Sequence, residues 1–416
     1  MTTQTKLANY LHTYRERYPL SGTVLIAQNG SILYEEAFGN ASEEHQVPNT
    51  MDTKFGIWSV TKSFTAMAIM MLAEQGLLRL DDPAGDYLPS LKSRDSMSIR
   101  QLLQHRSGLP NFTSMPEYNA DWNKWPAAKE TVLERLADKP NDFLPGTAFA
   151  YNNTGYYLLG VIVEAVTGSG FEDFLRLRIL QPLDMRSSGI NNGRCVIPGL
   201  ASAYSASNQT LAPAEYIDMS TVISAGGMYS TARDLLKWDQ ALYSDTLVGR
   251  SVIEDVFSRE EEGYGLGWFL NRKHDRRRIY HGGAYRGYRS ELHRYPDERM
   301  TVILLSNYDF VPVTRLVDHL SGIVFGEDAA PPVPPSPYPI AEAELAPLLG
   351  RYEGYGCQAI VDRDEEDIYF VWNNRERNPI YPISETSFQH KYYDLSYSFK
   401  KNHDGLWTFL GMKKQP

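Results

Sequence analysis

Apolar side chains recur at three- and four-residue spacing in the stretch GIWSVTKSFTAMAIMMLAEQG, residues 56–76. This spacing is typical of a helix that packs one face against a core. We therefore predict an amphipathic helix from Ser59 to Gln75, ended by Gly76 as its C-cap. Its apolar positions are Val60, Phe64, Met67, Ala68, Met71 and Leu72.

Strand patterns lie at both ends of the first 330 residues, with helical patterns between them. A predicted helix over about residues 3–17 precedes two β-prone runs that flank Asn29 and Gly30, a dipeptide typical of a tight hairpin. Residues 80–250 are predicted to form mostly helices and loops.

After residue 264, the segments YGLGWFL, RRIYHGG, YRSELHRY and MTVILLSNY are predicted to be successive strands, and a helix follows from about Val313 to Phe325. Strands from both ends then form one antiparallel sheet flanked by helices, with an inserted helical lobe. The predicted fold class is α+β.

A proline-rich segment, AAPPVPPSPYP, separates this first part from an aromatic-rich tail. Six prolines fall within residues 331–339, and proline at this density favours a stiff extended linker. We predict a domain over residues 1–330, a linker over 331–339, and a small antiparallel β domain over 340–416.

Composition limits the classes of protein that remain. The chain of 416 residues is 42 % hydrophobic and carries a net charge of −10, which argues against a general nucleic-acid binder. No apolar run is long enough to span a membrane, and the N-terminus lacks a secretory signal, so a cytoplasmic location is expected. Two cysteines, Cys195 and Cys357, make neither a disulfide framework nor a zinc site and are interpreted as structural.

The pattern Ser-x-x-Lys occurs twice and is informative only in its structural context. Ser398 and Lys401 lie in a predicted strand, where residues three apart point to opposite faces. Ser59 and Lys62 lie on a predicted helix, where residues three apart are neighbours, and the helix N-terminus stabilises an oxyanion. The pair is therefore a nucleophile and its base, or a helix cap beside a solvated lysine.

The segment FAYNNTGYYLLG supplies Tyr151 and Asn153 in the pattern Tyr-x-Asn. A phenol beside a lysine ammonium can have a lowered pKa and act as a general base. The alternative is a half-buried tyrosine at the start of a helix.

The segment IYHGGAYRGYRS places His281, Gly282 and Gly283 in a β-prone run. Paired glycines in a strand often mark the close approach of another backbone or of a ligand. The N–H group of Ala284 could then be an oxyanion donor. The alternative is a β-bulge.

In this order, SVTK, YNN and HGG resemble the three motifs of the penicillin-recognising serine hydrolases. This superfamily includes class C β-lactamases, D-alanyl-D-alanine carboxypeptidases, D-aminopeptidases and related esterases. The segments LLQHRSGLPNF, GYYLLGVIVEAVTG, ILQPLDMRSSGI and AGGMYSTARDLLKW are also similar to this family, and the resemblance covers roughly residues 8–328.

The resemblance implies the β-lactamase-like fold and an acyl-serine mechanism. Ser59 would attack a carbonyl while Lys62 and Tyr151 handle the proton. Asn153 would bind the substrate amide or hold Lys62, and the N–H groups of Ser59 and Ala284 would form the oxyanion hole. Such chemistry requires no metal or organic cofactor.

The third motif matches the His-x-Gly form of the family pattern and departs from its Lys-Thr-Gly form. A lysine there attracts a substrate carboxylate and the hydroxyl binds it, whereas His281 is mostly neutral near pH 7 and Gly282 has no hydroxyl. Arg286 or Arg289 could replace the missing charge, since guanidinium binds carboxylates in a bidentate way. The alternative is that both arginines are solvated at the strand edge.

The sequence therefore predicts a serine hydrolase for small amides or peptides, with D-amino acid selectivity. The alternatives are an esterase on the same scaffold, a β-lactamase, and a non-catalytic protein that binds penicillin or another ligand. The C-terminal domain would restrict the size of the substrate or mediate self-association.

Overall fold

The computed structural model describes residues 1–91, 97–207, 210–258, 263–354, 357–373 and 377–415. Its α-helices are α1 (Thr3–Arg17), α2 (Thr61–Glu74), α3 (Ile99–Leu103), α4 (Pro116–Ala120), α5 (Lys129–Ala137), α6 (Asn153–Thr167), α7 (Phe171–Leu175), α8 (Ile223–Gly226), α9 (Ala232–Ala241), α10 (Arg250–Val256), α11 (Val313–Val324) and α12 (Glu342–Leu345). None of these helices is long and apolar enough to cross a membrane.

A six-stranded antiparallel sheet combines strands from both ends of the first 330 residues, as predicted. Small two- and three-stranded sheets accompany the main sheet in this part of the chain. Up to residue 306, the strands are β1 (Gly22–Gln28), β2 (Ser31–Phe38), β3 (Asn40–Ser42), β4 (Val47–Pro48), β5 (Phe55–Gly56), β6 (Gly189–Ile190), β7 (Tyr204–Ser207), β8 (Thr210–Pro213), β9 (Met228–Ser230), β10 (Phe269–Lys273), β11 (Arg276–Tyr285), β12 (Tyr288–Tyr295) and β13 (Met300–Ser306).

The main sheet has the order β10-β11-β12-β13-β1-β2, so β1 pairs with β13 on one side and with β2 on the other. The hairpin turn at Asn29 and Gly30 has φ angles of 53° and 76°. Two positive φ angles in a two-residue loop suit the right-handed twist of the flanking strands. The predicted hairpin is therefore confirmed.

Hydrophobic cores cover both faces of the main sheet. Helices α1 and α11 pack on one face, where Val24, Val302 and Leu304 are buried. The other face, with Leu25 and Ile303, packs against α2 and the helical lobe in the larger core. The predicted helices near residues 3–17 and 313–325 correspond to α1 and α11.

Helix α2 differs from the prediction in two respects. A 3₁₀ turn, Trp58–Val60, precedes it, so the α-helix itself begins at Thr61. All residues from Thr61 to Leu72 are buried, not one face only. The prediction of an amphipathic helix was wrong, because α6 and α8 pack against α2 and Trp238 of α9 stacks on Phe64, so its small polar side chains are buried together with the apolar ones.

The tail forms a closed antiparallel barrel of eight strands. They are β14 (Gly350–Gly354), β15 (Cys357–Arg363), β16 (Ile368–Trp372), β17 (Arg377–Pro382), β18 (Ser387–His390), β19 (Ser396–Lys401), β20 (Trp407–Phe409) and β21 (Met412–Lys414). The barrel contacts the first part of the chain directly: Arg315 on α11 pairs with Asp394, and Phe310 packs on Tyr393.

Both cysteines are free thiols. Cys357 is partly buried in β15, whereas Cys195 is exposed. The interpretation of Cys195 as a structural residue was wrong, because an exposed thiol adds nothing to a core.

Candidate active site

Ser59 lies in the tight turn that leads into α2 and lines a cavity of about 620 Å³. Trp58, just before it, has a φ angle of 44°, in the left-handed region that bulky side chains rarely adopt. The surrounding core holds this conformation, since only 7 % of Trp58 is exposed. Strain of this kind is often found where a backbone must aim a functional side chain.

Lys62 is fully buried and reaches Ser59 as predicted. Its Nζ lies 3.1 Å from Ser59 Oγ, 2.7 Å from Asn153 Oδ1 and 2.8 Å from the carbonyl oxygen of Ala225. Burial lowers the pKa of Lys62 well below its usual value, because the ammonium form loses its hydration. The alternative of a solvated lysine is excluded.

The neutral form of Lys62 fits these three contacts in one way. A neutral amine has two N–H donors and one lone pair. The oxygens of Asn153 and Ala225 can only accept, so they take the two donors. The lone pair is then left for the hydroxyl of Ser59, which is the arrangement of a base and its nucleophile.

Asn153 holds Lys62 from the first turn of α6. Asn152 caps this helix through a 3.1 Å bond from Gly155 N–H to its side chain. Asn153 then directs Oδ1 to Lys62, while its Nδ2 donates to Thr113 Oγ1 at 2.8 Å. Of the two roles implied for Asn153, the contacts favour that of holding Lys62.

Tyr151 lines the cavity next to Ser59. Burial raises the pKa of Tyr151 above its ordinary value, and the nearby Ser59 hydroxyl lowers it only in part. The expectation that a neighbouring ammonium lowers this pKa was wrong, because burial disfavours the phenolate and also the charged form of Lys62. Tyr151 is therefore a phenol that can donate a proton.

The strand edge that carries the third motif is open to the cavity. Strand β10 pairs only with Arg276–Tyr280 of β11, and the stretch from His281 to Tyr285 continues beyond its end. Ala284 is exposed there and lines the cavity together with Gly283.

Gly283 is required for close packing against the turn of Ser59. A Cβ atom at this position would lie 2.2 Å from the carbonyl oxygen of Ile57 and 2.4 Å from Ser290 Oγ. Ser290 Oγ also donates to that carbonyl oxygen at 2.8 Å, which ties β12 to the same turn. The predicted close approach of a backbone at the paired glycines is present.

We expect Gly283→Ala to lower kcat/KM by roughly 100-fold, because displacing β11 by about 1 Å misaligns the site. Gly170→Ala, at an open position, is the matched control. A Cβ atom at this position would meet no heavy atom within 4 Å. Kinetics and thermal melts of both variants check this, and equal losses would contradict the packing argument.

His281 is neutral in this site. Only 1 % of it is exposed, and burial lowers its pKa to about 3. Its Nδ1 lies 2.7 Å from the carbonyl oxygen of Gly282 and donates to it, while Nε2 accepts from the hydroxyl of Tyr264 at 3.2 Å. The third motif therefore places no cation in the cavity.

The two candidate arginines lie in different places. Arg286 is in the turn between β11 and β12, and its guanidinium pairs with Glu215. It lines a neighbouring cleft, not the cavity of Ser59. Arg289 lines both, with Asp309 close enough to act on it electrostatically. The interpretation of Arg286 as a substrate-binding residue is therefore not supported.

Several residues around this site were not among the candidates predicted from the sequence. Tyr264, from YGLGWFL, bonds to His281, and Asn111 and Thr113 fix Asn153. His105 packs against the ring of Tyr151. Two of the four, His105 and Asn111, lie in LLQHRSGLPNF, a segment noted above only for its family resemblance, and Thr113 directly follows it. Among the described residues, no group of three or more His, Cys, Asp or Glu is arranged to hold a metal ion.

The chain belongs to the β-lactamase family of serine hydrolases, since the family model matches residues 7–321. The resemblance inferred from the three motifs is therefore confirmed. Among curated relatives, the chain is 29 % identical over 436 aligned positions to penicillin-binding protein 4* of Bacillus subtilis (strain 168). That match covers 97 % of this chain and 95 % of the relative.

Solved structures share the fold. The D-amino acid amidase of Ochrobactrum anthropi SV3, complexed with L-phenylalanine amide, is 25 % identical with a TM-score of 0.68, covering 78 % of this chain and 97 % of that one. The octameric penicillin-binding protein homologue from Pyrococcus abyssi is 24 % identical with a TM-score of 0.67. The match covers 98 % of this chain and 99 % of the homologue's chain, so the likeness in fold extends through the C-terminal barrel.

Proposed function

We propose that this protein hydrolyses small amides and peptides, with a D-amino acid on the acyl side, through an acyl-serine intermediate on Ser59. The observation that carries the proposal is the contact of a buried amine with a hydroxyl, Lys62 Nζ to Ser59 Oγ at 3.1 Å. The lowered pKa of Lys62 favours the neutral amine that this role requires.

In the proposed acylation, the lone pair of Lys62 accepts the proton of Ser59 as Oγ attacks the substrate carbonyl carbon. The carbonyl oxygen becomes an oxyanion, which the N–H groups of Ser59 and Ala284 stabilise. Tyr151 donates its proton to the departing nitrogen and is reprotonated from Lys62. Water then attacks the acyl-serine, returning Ser59 to its hydroxyl form and releasing the acid.

Amides are favoured over esters because an amine leaves only when its nitrogen is protonated. Tyr151, a phenol with a raised pKa beside Ser59, supplies that acid. The likeness to a D-amino acid amidase supports the choice of D-residues. A β-lactamase is less favoured, because neutral His281 offers no charge to the carboxylate of a β-lactam.

The test uses D- and L-alanine p-nitroanilides and the corresponding p-nitrophenyl esters, with loss of a chromogenic β-lactam measured in parallel. We expect hydrolysis of the D-anilide, with kcat/KM at least about tenfold above that of the L-anilide. Turnover of esters alone would replace the proposal by the esterase alternative. Turnover of no substrate would favour a non-catalytic ligand-binding protein.

A further inference from the structure

The carboxylate of Glu291 occupies the place where a side chain of the third motif would lie. Gly282 has none, and a Cβ atom there would be only 2.7 Å from Glu291 Oε1. Glu291 comes from the neighbouring strand β12, where it pairs with Gly282 across the ladder. It lines the same cavity as Ser59.

Two donors hold this carboxylate in place. The hydroxyl of Thr314, in the first turn of α11, donates to Oε1, and His293 Nε2 donates to Oε2 at 2.8 Å. The His293 side chain is completely buried, so it cannot swing away. A carboxylate has about four acceptor positions, so these two bonds leave capacity for a ligand in the cavity.

The charges in the cavity wall favour a cation at this point. Glu291 and Asp309 are acidic, and Arg289 is the basic residue among the described residues that line the cavity. Arg289 interacts electrostatically with Asp309. Within the described part of the chain, no lysine or arginine pairs with Glu291, which is hydrogen-bonded to His293.

The negative charge of Glu291 determines which part of a substrate can bind beside the third motif. In β-lactams and in carboxypeptidase substrates, the carboxylate that the family motif Lys-Thr-Gly binds belongs to the departing amine. This chain has a carboxylate of its own in that position, and an anionic leaving group would be repelled there.

We propose that Glu291 forms a subsite for a positively charged leaving group, such as an amine that carries an ammonium side chain. The proposal rests on the acyl-serine function proposed above. His293 and Thr314 are its positioning residues, since both act through the carboxylate of Glu291.

The test compares acetyl-D-alanyl-D-lysinamide with acetyl-D-alanyl-D-norleucinamide, which has nearly the same shape without the charge, and with acetyl-D-alanyl-D-alanine, which carries a carboxylate. We expect the lysinamide to have a kcat/KM about tenfold above that of the norleucinamide, mostly through KM. Glu291→Gln keeps the shape of the side chain and should remove this preference, whereas Glu385→Gln, at an exposed carboxylate outside the cavity, should keep it.

Equal rates for the two amides, a preference that survives Glu291→Gln, or fastest cleavage of the carboxylate substrate would each overturn the subsite. Calorimetry with D-lysinamide and D-norleucinamide, the two leaving amines, measures the subsite without turnover. If nothing is hydrolysed but lysinamide still binds about tenfold more tightly to wild type than to Glu291→Gln, the proposed function fails and the subsite stands. Equal affinities overturn the subsite itself.

Discussion

Replacing Ser59 by alanine is expected to lower kcat by roughly 10⁵- to 10⁶-fold, the loss seen when a serine nucleophile is removed. Ser59 is the proposed nucleophile because its hydroxyl contacts Lys62 Nζ and lines the cavity. Intact-protein mass spectrometry after incubation with a fluorescent penicillin or an activated ester should show one acyl group on wild type and none on the variant.

Ser398→Ala is the matched control, because Ser398 belongs to the other Ser-x-x-Lys copy. It is exposed on β19 of the barrel, bonded to Ser387 at 3.3 Å. This variant should keep the activity and the adduct of wild type. An adduct of full occupancy on Ser59→Ala would refute Ser59 as the nucleophile.

Replacing Lys62 by methionine is expected to lower kcat/KM by roughly 10²- to 10⁴-fold, the contribution of a well-placed general base. The variant keeps most of the buried volume but leaves Ser59 without a proton acceptor. It also leaves Asn153 Oδ1 without the amine that it contacts at 2.7 Å. Steady-state kinetics, with a thermal melt to verify folding, check the expectation, and Lys401→Met on the barrel is the control.

The pH dependence of wild type separates a base from a merely structural lysine. Only the neutral amine can accept a proton, and the pKa of Lys62 lies well below its usual value. Activity should therefore be present above that lowered pKa and be lost as the pH falls through it. This loss of activity at low pH should be absent from the residual activity of Lys62→Met. If the variant shows the same loss, a group other than Lys62 causes it.

Local patterns predicted much of the fold. Asn29 and Gly30 specify their hairpin through positive φ angles, and the apolar period of residues 313–325 specifies a helix. The helical spacing of Ser59 and Lys62 likewise predicts their contact. These features depend on neighbours a few residues apart, which a sequence pattern records directly.

Features that depend on distant segments could not be predicted in this way. The burial of α2 on all sides depends on the other helices packed around it. The raised pKa of Tyr151 follows from the same enclosure. Glu291 meets Gly282 only because of the register between β11 and β12, and Thr314 reaches it from α11. The local periodicity of hydrophobic residues does not encode such contacts.

The position of β1 in the sheet has a consequence for synthesis on the ribosome. This apolar strand pairs along its whole length with β13, from Gly22 opposite Ser306 to Gln28 opposite Met300. At about 5–20 residues per second, its partner emerges tens of seconds later. During that interval, the nascent chain carries an open, aggregation-prone strand edge, so chaperone protection of β1 should govern the yield of folded protein.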